Sequence, residues 1–319
     1  MAVRLGIVGF GIMGERLLRA ALAQDAMRPV AVWDPSAEAA SRLARIAPEV
    51  PMLASPAAVI AACEALYIAS PPSAHLEHAG AAFAAGRAAF LEKPLAADLA
   101  AARAFVTMAE AEGARAAVNF PMASSPAVAQ LSAWRAGIGA PRALTIRADF
   151  ATWPRGWQQG AAGWLARRAE GGFTREVLSH FLFLTRRQLG PLVLLDRSAD
   201  YPPDDGAEIA VQARLAAGGV PVALSGQVGG TDRDESNEWR LEAEAGSIRL
   251  RDWSLAEKRD ADGAWRPAPD ALPNETMRPM VLRDQLRKLA ALTRDEPQDL
   301  ATLREALEVQ EVVEGILGG

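Results

Sequence analysis

The sequence runs to 319 residues, 50% hydrophobic, 23% charged and 6% aromatic, with 39 acidic against 34 basic side chains and a net charge of −5. That balance is ordinary for a globular chain; it lacks the basic excess that neutralises a phosphate backbone and any apolar run of the roughly 18–20 residues that cross a bilayer, so neither a nucleic-acid nor a membrane partner is expected. One cysteine, Cys63, cannot form an internal disulfide, and three histidines leave little for a structural metal, so the expectation is a cytoplasmic, metal-free protein of two domains.

Met1–Leu5 leads straight into a strand-like run, which argues against a secretion signal. Up to about residue 120, short apolar runs alternate with alanine-rich helical stretches, the βαβ pattern of a parallel sheet. Six strands are predicted, at Val3–Val8, Val30–Trp33, Met52–Leu53, Leu66–Ala69, Ala88–Leu91 and Ala116–Phe120, making a doubly wound Rossmann unit over residues 1–120. Ser55 (before Pro56), Ser73 and Asp98 are expected helix N-caps, and Gly86 and Gly113 are expected helix ends. Cys63 reads as a small buried residue at a helix end.

Between the first strand and the first helix lies Gly9-Phe10-Gly11-Ile12-Met13-Gly14, a G-x-G-x-x-G turn. Its first glycine makes the tight turn, its second lets backbone approach a pyrophosphate, and its third lets helix and strand pack closely. The helix N-terminus then offers N–H groups to the anion. Asp34 follows at the end of the second strand, about 20 residues on, where a carboxylate accepts from both ribose hydroxyls of an adenosine and repels a 2′-phosphate. With no Arg or Lys within several residues of Asp34, NAD is expected in preference to NADP.

Beyond Pro121 the pattern changes. Ser125-Pro126 opens a helix running to about Arg135. The later strand candidates alternate apolar with polar residues, at Ala143–Phe150, Glu208–Leu215, Val220–Val228, Glu238–Ala243 and Ser247–Leu250. They predict an α+β domain over 121–319 built on an open, mostly antiparallel sheet. Asp232–Asn237 reads as a solvated loop, and helices are expected at Met280–Thr293 and Asp299–Leu317.

Two further motifs sit at predicted strand ends bordering the ligand crevice of an open α/β sheet: Ser70-Pro71-Pro72-Ser73-Ala74-His75 and Leu91-Glu92-Lys93-Pro94. With Glu170-Gly171-Gly172-Phe173-Thr174-Arg175-Glu176-Val177-Leu178-Ser179-His180, they make nearly the whole chain resemble the Gfo/Idh/MocA family of glucose–fructose oxidoreductase and inositol dehydrogenase relatives. The chain departs from that family's pattern at Glu170, Glu176 and Leu178, which stand for Gly, Asp and Gly. Asn119-Phe120-Pro121-Met122-Ala123 also lacks the arginines many members carry there.

The resemblance implies an NAD-dependent oxidoreductase that transfers hydride to or from a small polyol- or sugar-like substrate, in a homodimer or homotetramer associating through the sheet. It places Ser70, Pro71 and Pro72 beside the nicotinamide, with Glu92 in the cofactor site and Lys93 catalytic, and it implies a cis peptide before Pro94. A cation at Lys93 also suits the chemistry, stabilising alkoxide character as hydride leaves. His180 is the expected general base, with Glu176 four residues earlier on the same helical face as its partner. His75 is expected to hold the cofactor loop and is counted with the cofactor site, and Asn119 is counted with the substrate. Trp153, Trp157 and Trp164 either line a substrate pocket or anchor an irregular loop. Two other readings remain open: a redox-neutral lyase or glycosidase using NAD transiently, and an NAD-sensing regulator.

Overall fold

The computed structural model describes residues 1–318, the side chain of Gln159 excepted. In chain order the first elements are β1 (Val3–Val8), α1 (Ile12–Leu22), β2 (Met27–Trp33), α2 (Ala37–Ile46), α3 (Pro56–Ala62), β3 (Ala65–Ile68), α4 (His75–Ala84), β4 (Ala88–Leu91), α5 (Leu99–Ala111) and β5 (Ala116–Val118). There follow α6 (Pro126–Arg135), β6 (Pro141–Phe150), α7 (Ala162–Leu165), α8 (Ser179–Leu189), β7 (Leu192–Asp200), β8 (Ala210–Ala217), β9 (Val220–Val228), β10 (Glu235–Ala243), β11 (Gly246–Arg251), β12 (Leu255–Arg259) and β13 (Trp265–Pro267). Two helices close the described chain, α9 (Asn274–Thr293) and α10 (Leu303–Leu317).

The chain divides into two compact units: Met1–Ser124 with Pro279–Leu307, and Ser125–Arg278 with Glu308–Gly319. On the outward pass the division falls between Ser124 and Ser125, and 279–307 returns to the first unit. The reason is apolar burial. Leu282, Leu286, Leu289 and Ala290 of α9, with Leu300, join the core made by Leu5, Ile7, Tyr67 and Phe90 of the sheet and Leu17 and Leu18 of α1.

In the first unit a parallel sheet runs in the order β2-β1-β3-β4-β5. Among the described residues it has five strands, not the six expected. Met52 makes only an isolated parallel bridge to Val32. Pro51 has no N–H to extend the ladder, and Ser55-Pro56 already opens α3, so one bridge is all the chain can form there. Ser55 and Asp98 cap their helices as expected, accepting from Ala58 N–H at 3.2 Å and Ala101 N–H at 2.6 Å. Ser73 does not. Pro72–Ala74 forms a tight 3₁₀ turn, and α4 starts only at His75 with Ala74 as its cap residue.

In the second unit the described residues form an eight-stranded sheet, β13-β12-β11-β10-β6-β9-β8-β7, antiparallel at every neighbour except β6 with β9. The open, mostly antiparallel sheet is as expected, with β7, β12 and β13 added. Asp232–Asn237 is only partly a loop, because Glu235, Ser236 and Asn237 pair with Phe150, Asp149 and Ala148. The last helix starts at Leu303 rather than Asp299. Thr302 and Glu305 cap it reciprocally, Glu305 N–H donating to Thr302 Oγ1 at 3.1 Å and Thr302 N–H to Glu305 Oε2 at 2.9 Å. Among the described residues no helix is long and apolar enough to cross a membrane.

Candidate active site

The first unit builds a glycine cradle. Gly9 sits at φ 93°, and a Cβ there would come within 2.4–2.5 Å of the Ala69 carbonyl and Ser70 nitrogen. At Gly14 a Cβ would meet the Gly9 oxygen at 2.1 Å, whereas at Gly11 it would meet no described atom within 4 Å. Two glycines are thus demanded by packing, and the third leaves open space at the start of α1. Gly11 is the cap residue of that helix and brings no side chain to its first N–H groups. Free N–H groups at a helix start suit an anionic group.

Asp34 braces the turn: Phe10 N–H donates to its Oδ2 at 2.7 Å and Ser36 N–H to its Oδ1 at 2.9 Å. Each oxygen keeps acceptor capacity for a ribose hydroxyl. Arg42 is a residue the sequence reading missed. It lies eight positions beyond Asp34, and α2 brings its guanidinium to the Phe10 carbonyl at 2.7 Å, 3.9 Å from Glu15. A basic side chain does therefore reach the glycine turn at Phe10, the residue whose N–H Asp34 holds.

His75 ties two loops together. Its Nε2 lies 2.8 Å from Ser70 O and its Nδ1 3.0 Å from Pro94 O, and the residue is 1% exposed. With both nitrogens facing backbone carbonyls and almost no accessible surface, His75 links the Ser70 loop to the turn at Pro94 and does not itself present a group to a ligand. Burial, the larger influence, pushes its pKa below the ordinary imidazole value, against the two carbonyl contacts that favour the cation.

Lys93, half-buried, follows β4 and precedes a cis peptide to Pro94. Its neighbour Glu92 is held by two side chains, one on β3 and one just past β5: Tyr67 Oη donates to Glu92 Oε1, and Asn119 Nδ2 donates to the same oxygen at 2.5 Å. Asn119 Oδ1 accepts from Gln285 Nε2 at 2.8 Å. Asn119 is 1% exposed with both ends of its amide used, so it is a brace for Glu92 rather than the substrate ligand expected. Burial first, and the Glu92 carboxylate second, hold the Tyr67 phenol well above its ordinary pKa. Cys63 is buried at the end of α3 as expected, its thiol pushed up to about 11 by burial.

In the second unit the Gly-Gly segment has a steric cause. A Cβ on Gly171 would lie 2.2 Å from Leu165 O, and one on Gly172 (φ 100°) would lie 2.1 Å from Glu208 Oε2. Glu208, expected in the sequence only as the start of a strand, lies before β8, is 1% exposed and accepts the Thr174 N–H at 2.7 Å, capping the segment that follows. Burial raises its pKa above the ordinary 4.5, opposed mainly by that N–H bond. A carboxyl raised in the folded state contributes stability below its unfolded pKa and loses it as pH rises through the folded value. Glu208→Gln keeps the acceptor and removes the buried charge. Its melting midpoint should therefore overtake wild type as pH rises from 4 to 8, by roughly 2–4 °C at the upper end, the scale of 1 kcal/mol in a domain of this size. A gap that closes toward pH 8 would contradict this account.

Thr174–Leu178 forms a π-turn before α8, with Ser179 N–H bonded to Thr174 O. The face shared by Glu176 and His180 was expected on α-helical geometry, and the wider turn removes that argument. His180 is 8% exposed, and its ring stands 5.5 Å from that of Trp253 at 77°.

The three expected tryptophans do not share one role. Trp153 is an anchor, its Nε1–H on Leu165 O at 3.0 Å and its ring against Phe150 and Phe173. Trp157 is exposed, with the buried Arg155 guanidinium 4.8 Å from its ring centre. Trp164 lines a cavity of about 800 Å³ with Arg168, Arg175 and Tyr201, a lining that does not include His180.

Glycine cradle, uncapped helix start and strand-end carboxylate define the first unit as a dinucleotide-binding Rossmann domain. Residues 3–120 match the Gfo/Idh/MocA oxidoreductase family, NAD-binding Rossmann fold. Inositol 2-dehydrogenase of Cereibacter sphaeroides is 38% identical over 119 residues, 36% of this chain and 35% of that protein, so the chain matches about a third of the length of this curated relative. Two solved structures share the fold across the whole chain. A candidate myo-inositol dehydrogenase from Sinorhizobium meliloti 1021 has a TM-score of 0.80 at 20% identity, covering 99% of this chain and 98% of that one. An oxidoreductase from Agrobacterium radiobacter, in complex with NAD+, L-tartaric acid and magnesium, has a TM-score of 0.83 at 16% identity, covering 100% and 97%.

Proposed function

We propose that this chain is an NAD-dependent dehydrogenase acting on a hydroxyl, or in reverse a carbonyl, of a small polyol- or sugar-like substrate. One observation carries the reading: Gly9 packs against Ala69–Ser70, and the buried His75 ring sits between Ser70 O and Pro94 O, so the glycine cradle and the Lys93 turn form one connected frame. A bound nicotinamide supplies the hydride acceptor or donor. Gly9–Gly14 seats the pyrophosphate, Asp34 the adenosine ribose, and Ser70–Pro72 with Glu92 border the nicotinamide side. Lys93 Nζ stabilises negative charge on the reacting oxygen, His180 takes the hydroxyl proton, and Glu176 orients that base. We place the protein in the cytoplasm as a homodimer or homotetramer, on its single cysteine and on exposed Val193 and Leu195 along β7. The test is steady NADH formation from NAD and a panel of cyclic and open-chain polyols led by myo-inositol. Tightly retained cofactor without steady NADH would favour the lyase or glycosidase reading, and binding without turnover the sensor.

Asp34 favours NAD over NADP by charge, and Arg42 opposes it. The carboxylate stands at the ribose end of the cradle, so calorimetry should show NAD binding tighter by about tenfold, or roughly 1.4 kcal/mol. Asp34→Asn should narrow that gap. A wild-type preference for NADP would mean that Arg42 sets the selectivity.

A further inference from the structure

The turn joining β11 to β12 is strained, and the strain has a visible use. Ser254 N–H donates to Arg251 O at 3.3 Å, closing a turn whose two central residues, Asp252 and Trp253, lie at φ 49° and 70°. Such a turn asks for Asn or Gly at its centre. Aspartate tolerates the left-handed region, but a bulky aromatic there is an outlier. Asn237 of β10 holds the turn in place: its Oδ1 accepts Trp253 N–H at 3.1 Å and its carbonyl accepts Asp252 N–H at 3.1 Å. Glu235 accepts Trp253 Nε1–H at 2.8 Å. The polar run that reads as a solvated loop is thus a bracket around one tryptophan. The bracketed indole lies 5.2 Å from Phe181 and 5.5 Å from His180, between ring centres.

We propose that Trp253 is a positioning residue for His180, its indole fixing the plane of the imidazole from a turn that Glu235 and Asn237 hold. The proposal rests on the reading of His180 as the base. Strain maintained by surrounding bonds, beside a group that needs one orientation, is the pattern of a preorganised site. Glu235 extends the bracket, since it also binds Arg155 at 2.6 Å, and the Arg155 guanidinium stacks over exposed Trp157. The loop carrying Trp157 and the turn carrying Trp253 therefore share one carboxylate.

Trp253→Gly tests this well, because glycine is the residue the turn backbone wants; Trp253→Phe keeps a ring in place. Both are compared with wild type and His180→Asn in the full chain, by imidazole proton NMR and by NADH formation from myo-inositol. With three histidines in the sequence, the signals lost in His180→Asn identify its ring. In Trp253→Gly the His180 signals should move and broaden while those of His75 and His78 stay. Its kcat should fall roughly 10- to 100-fold, with KM for NAD unchanged, and Trp253→Phe should recover most of the loss. Wild-type kcat in Trp253→Gly, alongside an inactive His180→Asn, overturns the proposal and leaves the base intact. Wild-type turnover in His180→Asn overturns the base itself, and the proposal with it.

Discussion

Lys93→Ala should lower turnover by roughly 10²–10³, the worth of one positioned electrostatic group, while thermal midpoint and NAD affinity stay close to wild type. The expectation follows from how the side chain is held. Lys93 is half-buried, and the backbone that presents it is fixed on both sides by other residues: Glu92 by Tyr67 and Asn119, and Pro94 O by His75. Truncating the lysine leaves those bonds in place, so the turn keeps its shape and the cradle at Gly9–Gly14 is untouched. What is lost is a cation able to meet negative charge on the reacting oxygen, and that loss appears in kcat rather than in cofactor binding. Stopped-flow NADH formation with calorimetry of NAD binding separates the two. A variant with full turnover would return Lys93 to an ordinary surface lysine, and one that fails to bind NAD would make it a cofactor ligand only.

The parts of this site that are readable in the sequence are those whose constraint is local. Gly9, Gly11 and Gly14 belong to one turn, and Asp34 belongs to the next strand end, so spacing alone carries them. Arg42 is not readable that way: it reaches Phe10 O only because α2 folds back over the glycine turn, and linear distance from Asp34 conceals this. Asn119 misleads for the same reason. A polar residue at a strand end looks like a ligand until Gln285 meets it, and Gln285 sits on a helix whose return to the first unit no local pattern announces. Leu282, Leu286 and Leu289 do give α9 an apolar stripe, but a stripe shows that a face is buried without showing against which core. Glu208 and Trp253 escaped notice because each meets a residue far away in sequence, Thr174 and His180.

The second large effect is expected at His180. A general base must be unprotonated to take a proton, so turnover in the oxidation direction should fall as pH drops and the imidazole becomes charged. His180→Asn cannot titrate in that range. It should lose the acid limb of the profile and roughly 10²–10⁴ in rate, the usual contribution of acid–base catalysis. His180 is 8% exposed beside Trp253, so the smaller asparagine leaves space there, and thermal melting registers that cost to the fold separately from the loss of rate. Glu176→Gln then asks whether the carboxylate four residues earlier is the partner, a question the π-turn at Thr174–Leu178 makes sharper than α-helical spacing would. A carboxylate beside an imidazole stabilises the imidazolium and raises its pKa, so removing the charge should let the pKa fall and move the acid limb to lower pH, with a smaller loss of rate than at His180. A limb that stays in place in Glu176→Gln would separate Glu176 from the base. A limb that persists in His180→Asn would assign the proton to another group, with Lys93 the first to test.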